Sequence, residues 1–222
     1  MIPCEKNIPE HRVRCFLKRF SYVLVRFLFR LQYVGLEHIP ERGPLILIAN
    51  HTSIMDMFAI HAKVRPWIHW VAKKELFSKP FLARLLITLG CIPVSRDKAD
   101  LSAARGIMGV LKRDEIVGLF PQGTRVAPDR IALVLPRNGA VHFALKTHVP
   151  LLPVAIEGRF RLFSKIRIVF GEPFRIPDHQ RSSSDPESLQ QTSLWAMQRV
   201  YDLIGKRNVY RTDRKPQEET VS

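Results

Sequence analysis

Residues 49–56 read Ala-Asn-His-Thr-Ser-Ile-Met-Asp and follow directly on an apolar run, Pro44 to Ala49. If that run is a buried strand, His51 falls in the turn that leaves it and Asp56 in the first turns of the next helix. Helical side chains tilt toward the N-terminus, so the Asp56 carboxylate is aimed back at the imidazole. A carboxylate on one ring nitrogen fixes the tautomer and makes the other nitrogen a better proton acceptor, as a general base near neutral pH requires. His51 and Asp56 could therefore be a base and its orienting partner. The same letters carry a plainer reading, because Ser53-x-x-Asp56 matches a capping box in which Asp56 returns to the Ser53 amide.

A second cluster again follows an apolar run: Phe120, Pro121, Gln122, Gly123, Thr124, Arg125. Gly123 allows close backbone approach or a positive φ, Thr124 offers a hydroxyl and Arg125 a fork of donors suited to phosphate. The spacing is not that of a P-loop, and a tight turn with a solvated arginine is the alternative. A third segment, Gly90 to Asp97, places Arg96 between an apolar stretch and a helix start, where pairing with Asp97 is the simpler role. No G-x-S-x-G or H-E-x-x-H is present, and the eight histidines show no ligand spacing. Cys4, Cys15 and Cys91 are an odd number without paired spacing, so neither a disulfide framework nor a metal site is expected and a reducing cytoplasm fits.

The elements that must position these residues read as an α/β layered domain. Short apolar runs at Pro44 to Ala49, Trp67 to Ala72, Glu115 to Phe120, Leu151 to Ile156 and Ile166 to Phe170 are predicted strands. Between and after them lie predicted helices: Asp56 to Lys63, Pro80 to Leu89, Asp97 to Arg113, Asn138 to Thr147 and Asp185 to Ile204. This alternation implies one domain, residues 37–206, with a mainly parallel central sheet flanked by helices. Carboxyl ends of strands are where such sheets bind ligands, and the first two clusters directly follow predicted strands.

Before that domain, residues 1–36 carry seven lysines and arginines against two glutamates amid dense apolar sequence. At 100° per residue Arg12, Arg19, Arg26 and Arg30 share one side and leave a wide greasy surface. Either this segment is a core helix with solvated arginines, or it is an amphipathic interfacial helix whose arginines meet lipid phosphates. Residues 207–222 read as a polar C-terminal tail. No run reaches the length of a membrane-spanning helix. The whole chain, 222 residues with 46% hydrophobic and 25% charged, has ordinary globular composition but a net charge of +15. Such charge points to nucleic acid, an anionic membrane surface or an acidic partner. The aromatics sit mostly in apolar runs and form no evident stacking platform, which argues against nucleic acid.

Taken together, the segments resemble the glycerolipid acyltransferase family, the bacterial PlsC type of 1-acyl-sn-glycerol-3-phosphate acyltransferase. Asn50 to Asp56 is similar to its NHxSxxD motif, and Gly90 to Asp97 (GCIPVSRD) to its second block. Phe120 to Arg125 (FPQGTR) is similar to the third block and Val149 to Gly158 (VPLLPVAIEG) to the fourth, in the family's order. The resemblance implies catalytic roles for His51 and Asp56. It also implies a substrate-phosphate site made by Arg96, Arg125, Gly123 and Thr124, with Lys73 a weaker candidate. One departure stands out: the third block usually reads FPEGTR, and Gln122 puts a neutral amide where the family has a carboxylate.

The implied reaction moves a fatty acyl group from acyl-CoA or acyl carrier protein to the free hydroxyl of a lysophospholipid, without metal or cofactor. Expected partners are membrane lipids, the lysophospholipid and the acyl donor, and no nucleic acid. The expected location is the cytoplasmic face of the membrane, peripheral or monotopic. Glycerol-3-phosphate or a lyso-aminolipid as acceptor, or an inactive lipid-binding relative on account of Gln122, are the alternatives.

Overall fold

The computed structural model describes residues 25–95, 100–177 and 185–210, together with Phe16, Lys18, Arg19, Tyr22 and Val23. Its centre is β2 (Leu45–Ala49), whose five residues are all buried. Leu45, Leu47 and Ala49 face one core, Ile46 and Ile48 the other. A strand apolar on both faces belongs in the middle of a sheet covered by helices on both sides. Among the described residues seven strands, β1 (Arg30–Val34), β2, β3 (Ile68–Lys73), β4 (Ile92–Val94), β5 (Ile116–Leu119), β6 (Leu151–Glu157) and β7 (Lys165–Phe170), lie in the order β1-β7-β6-β2-β5-β3-β4. All neighbours are parallel except β6 (Leu151–Glu157) and β7 (Lys165–Phe170).

The first core is closed by α1 (Met55–His61), α2 (Pro80–Thr88) and the helical turn that carries Val25. The second is closed by α3 (Leu101–Lys112), α4 (Gly139–Thr147) and α5 (Pro186–Asp202). The predicted fold class and all five predicted strands are present. Helix boundaries follow the capping chemistry. Asp100, not Asp97, caps α3, its carboxylate accepting from the amides of Ser102 and Ala103. Asp185 caps α5 in the same way, with Pro186 as the first helical residue.

Two strands escape the sequence pattern. β4 (Ile92–Val94) has only three residues at the sheet edge. At the other edge β1 (Arg30–Val34) pairs with β7, Arg30 opposite Lys165 and Val34 opposite Val169. The sheet thus begins inside the segment read as an N-terminal basic helix. Arg30 does not share a helical face with Arg26; it alternates with Leu31 along an edge strand, with Leu31 and Tyr33 turned toward the core. Among the described N-terminal residues, Phe16, Lys18, Arg19, Tyr22, Val23 and residues 25–28 are helical. Val25 is buried while Phe16, Val23 and Phe27, the last 73% exposed, are not. Residues 207–210, placed in the tail by sequence, lie back against α5, where Gln198 Oε1 accepts from the amides of Val209 and Tyr210. Arg12, Arg14, Arg96, Asp97 and the chain beyond Tyr210 lie outside the described residues.

Candidate active site

β2 and β5 (Ile116–Leu119) are parallel neighbours in register, Ile48 opposite Leu119, so the turns after them leave the sheet side by side. The first turn holds His51, the second residues 120–125. They are joined directly: the Val126 amide donates to the His51 carbonyl at 2.8 Å. β3 (Ile68–Lys73) brings Lys73 to the same end of the sheet.

Asp56 is wholly buried at the start of α1 and accepts four hydrogen bonds. His51 Nδ1 lies 2.8 Å from Oδ2, and the amides of Thr52 and Ser53 donate to the same oxygen at 2.6 and 2.8 Å. The Thr52 hydroxyl donates to Oδ1 at 3.1 Å. One carboxylate thus makes both contacts that the sequence allowed: it accepts from the Ser53 amide and lies against the imidazole. With Nδ1 engaged, Nε2 is the nitrogen left to meet a substrate. The Phe120 ring is stacked on the imidazole, centroids 4.1 Å apart, and Trp70 is stacked on Phe120 at 4.9 Å.

His51 lines an apolar cavity of about 510 Å3. Lys73, Gly123, Thr124, Arg125 and Arg137 line it together with His51, while Leu82, Leu85, Leu86 and Leu89 of and beside α2 form a wall. The lining follows β3 from Ile68 to Lys73, a run of about 17 Å at strand rise. Its far end is made by Trp67, His61, Ala62 and Lys18. There the Trp67 indole donates to the Leu89 carbonyl, and Lys18 donates to the carbonyls of Val64 and Arg65. Burial lowers the Lys18 ammonium to a pKa of about 8. His61 is pushed down to about 3 by burial, with Lys18 and His69 adding to the shift.

His51, Asp56, Gly123, Thr124, Arg125 and Lys73 thus lie at one end of the sheet, the grouping that the family resemblance, rather than spacing, implied. Gly123 has φ +68, the left-handed conformation expected of the turn. Lys73 is exposed and paired with Glu75 at 3.0 Å. Arg96 lies outside the described residues. Gln122 does not line the cavity; it is buried behind the turn, against Tyr201 and Tyr210. Sequence reasoning passed over Asn50, whose amide exchanges two hydrogen bonds with the Ile156 backbone and so extends the β2–β6 ladder beyond Ala49. It also missed Arg137, which carried no motif, and the burial of Lys18. Among the described residues no group of three or more His, Cys, Asp or Glu side chains is placed to hold a metal ion.

The site is a part-buried His-Asp pair at the carboxyl edge of a parallel sheet, opening on a long apolar cavity with cations at its mouth. The Acyltransferase family matches residues 30–157, and the chain belongs to that family. A 1-acyl-sn-glycerol-3-phosphate acyltransferase of Bacillus subtilis (strain 168) is 30% identical over 167 residues, covering 70% of this chain and 82% of the relative. One from Saccharomyces cerevisiae is 28% identical over 160 residues, 70% of this chain and 52% of the relative. Among solved structures, the 1-acyl-sn-glycerophosphate (LPA) acyltransferase PlsC of Thermotoga maritima is similar, with TM-score 0.62 and 25% identity. That match covers 89% of this chain and 82% of the other.

Proposed function

We propose that the chain transfers a fatty acyl group from the thioester of acyl-CoA or acyl carrier protein to the sn-2 hydroxyl of 1-acyl-sn-glycerol-3-phosphate, forming phosphatidic acid. The observation that carries this is the His51–Asp56 pair, 2.8 Å apart, at the mouth of the 510 Å3 apolar cavity with Arg125 beside it. His51 Nε2 removes the proton of the acceptor hydroxyl as its oxygen attacks the thioester carbonyl. Asp56 stabilises the imidazolium that forms, and the proton passes to the departing thiolate. A C–O bond replaces a C–S bond, and the step balances without a cofactor or an acyl-enzyme. Arg125, with Gly123, Thr124, Lys73 and Arg96, binds the acceptor phosphate, and the apolar cavity takes an acyl chain.

A lysophospholipid resides in the bilayer whereas its acyl donor is aqueous, which places the reaction at a membrane surface. The exposed Phe16, Val23 and Phe27 beside Arg19 and Arg26 support peripheral attachment at the cytoplasmic face through the N-terminal segment. Among the described residues no helix is long and apolar enough to cross a membrane. The test is an acyl-transfer assay with acyl-CoA and acyl carrier protein donors. The acceptors are lysophosphatidate, glycerol-3-phosphate and lyso-aminolipids, with His51→Ala alongside. Preference for lysophosphatidate and loss of turnover in the variant are expected, and retained turnover in His51→Ala refutes the proposed base. Liposome sedimentation of the unaltered chain beside a Phe16→Ser, Val23→Ser, Phe27→Ser triple variant, which spares β1 and the buried Val25 and Phe29, tests attachment: undiminished binding of the variant overturns it.

A further inference from the structure

Gln122 lies between residues that line the cavity, Phe120 and Pro121 before it and Gly123 to Arg125 after it, yet only 4% of it is exposed. Its side chain closes a directional circuit. The Tyr201 hydroxyl of α5 donates to Gln122 Oε1 at 3.0 Å, and Gln122 Nε2 donates to the Tyr210 hydroxyl at 3.0 Å. Tyr210 in turn donates to the Val134 carbonyl at 3.3 Å, in the long connection between β5 and α4. Tyr210 is itself fixed by Gln198, which accepts from its amide and from that of Val209 while donating to the Lys206 carbonyl. Gln190 of α5 holds the same connection at the Pro136 carbonyl.

An amide is the group this circuit needs, since it accepts on one side and donates on the other. A carboxylate there would accept only. Tyr210 would have to surrender its single proton to it and leave Val134 without a donor, and a charge would be buried among neutral hydroxyls. We propose that Gln122, Tyr201 and Tyr210 form a latch by which the segment after α5 positions the 120–125 turn. The latch sets Arg125 for the acceptor phosphate and keeps Phe120 against His51. Gln122 and Tyr210 are then positioning residues for acyl transfer, and the neutral side chain is matched to its tyrosines. The proposal rests on the acyl-transfer reading above.

The test uses the full chain, palmitoyl-CoA and 1-oleoyl lysophosphatidate in mixed micelles, with Tyr210→Phe, Gln122→Glu and the double variant. Turnover by the unaltered chain, lost in His51→Ala, establishes acyl transfer independently of the latch. Tyr210→Phe is expected to raise the KM for lysophosphatidate about tenfold and to lower kcat while the KM for palmitoyl-CoA is unchanged. Hydrogen exchange should quicken at residues 120–126 and stay unchanged in β6; this readout serves even if the chosen substrates give no turnover. Gln122→Glu should act in the same direction, and the double variant should lose less than the product of the two single losses. Unchanged exchange at 120–126, acceptor KM within twofold of the unaltered chain, or fully multiplicative losses would each overturn the latch.

Discussion

The Phe120 ring lies nearly parallel to the His51 imidazole, 4.1 Å away and tilted by 19°, and continues into Trp70, which is tilted by 9° from Phe120. Asp56 sets the rotation of the imidazole and this stack sets its plane. Behind the stack, Gly118 of β5 leaves no room for a side chain: a Cβ there would stand 2.6 Å from Trp70 Cε3 and 2.7 Å from Ile68 Cγ2. Gly118→Ala therefore forces Trp70 to move and the rings with it. A loss of about 1–3 kcal/mol of stability is expected for such overpacking. Thermal unfolding checks the first effect and kcat measured well below the transition checks the second; a fall in both is expected.

Asp56 offers only acceptors to four donors, so Asp56→Asn turns an amide NH2 on one of them. The imidazole then loses its orienting carboxylate, and kcat should fall by about 10² to 10⁴ with little change in acceptor KM. The unmatched donor should also lower stability by about 1–3 kcal/mol. Steady-state kinetics on the folded fraction separates the two; a variant with normal kcat would show that the carboxylate serves only the turn.

The parts of the fold that could be read in advance are those whose environment is written locally. Leu45 to Ala49 is apolar at every position because both its faces are covered, and the turns after β2 and β5 carry His51 and Gly123 at the place where ligands bind. β1 was hidden because the arginines at 26 and 30 happen to fall one helical turn apart, and β4 because three residues make no period. Gln122 could be seen as a departure but not as a side chain turned backward, since its direction depends on Tyr201 and Tyr210, nearly eighty and ninety residues away. Lys18 belonged to a basic run, and only the packing of its helix on the Val64–Arg65 loop buries it.

Arg125 is exposed at the cavity mouth, beyond Gly123 and Thr124, where its fork can meet a phosphate that stays in contact with water. Arg125→Ala should raise the KM for lysophosphatidate by about tenfold or more and change kcat less, whereas Arg125→Lys should recover only part of the loss because it supplies charge without the fork. A neutral lysolipid acceptor provides the control, being used equally by all three proteins. An acceptor KM unaltered by Arg125→Ala would move the phosphate to Lys73 or Arg137.

Lys18 gives the molecule a pH signature of its own. The residue is 8% exposed and lines the apolar cavity, and burial lowers the pKa of its ammonium to about 8. In the unfolded chain the same group titrates near an ordinary lysine value of about 10.4. Below pH 8 both states hold the proton and the folded state bears the full cost of burying the charge. Between about pH 8 and 10.4 the folded state has released a proton that the unfolded chain still binds, so stability rises with pH across that window. The span of the shift corresponds to a gain on the order of 3 kcal/mol. Lys18→Met removes the group and with it the slope. Melting temperatures of the two proteins, followed from pH 7.5 to 10, should therefore diverge in favour of the unaltered chain as pH increases, the titration of the surface lysines cancelling in the comparison. A difference that stays constant across this range would mean that the ammonium is hydrated in solution and that the far end of the cavity is open to water.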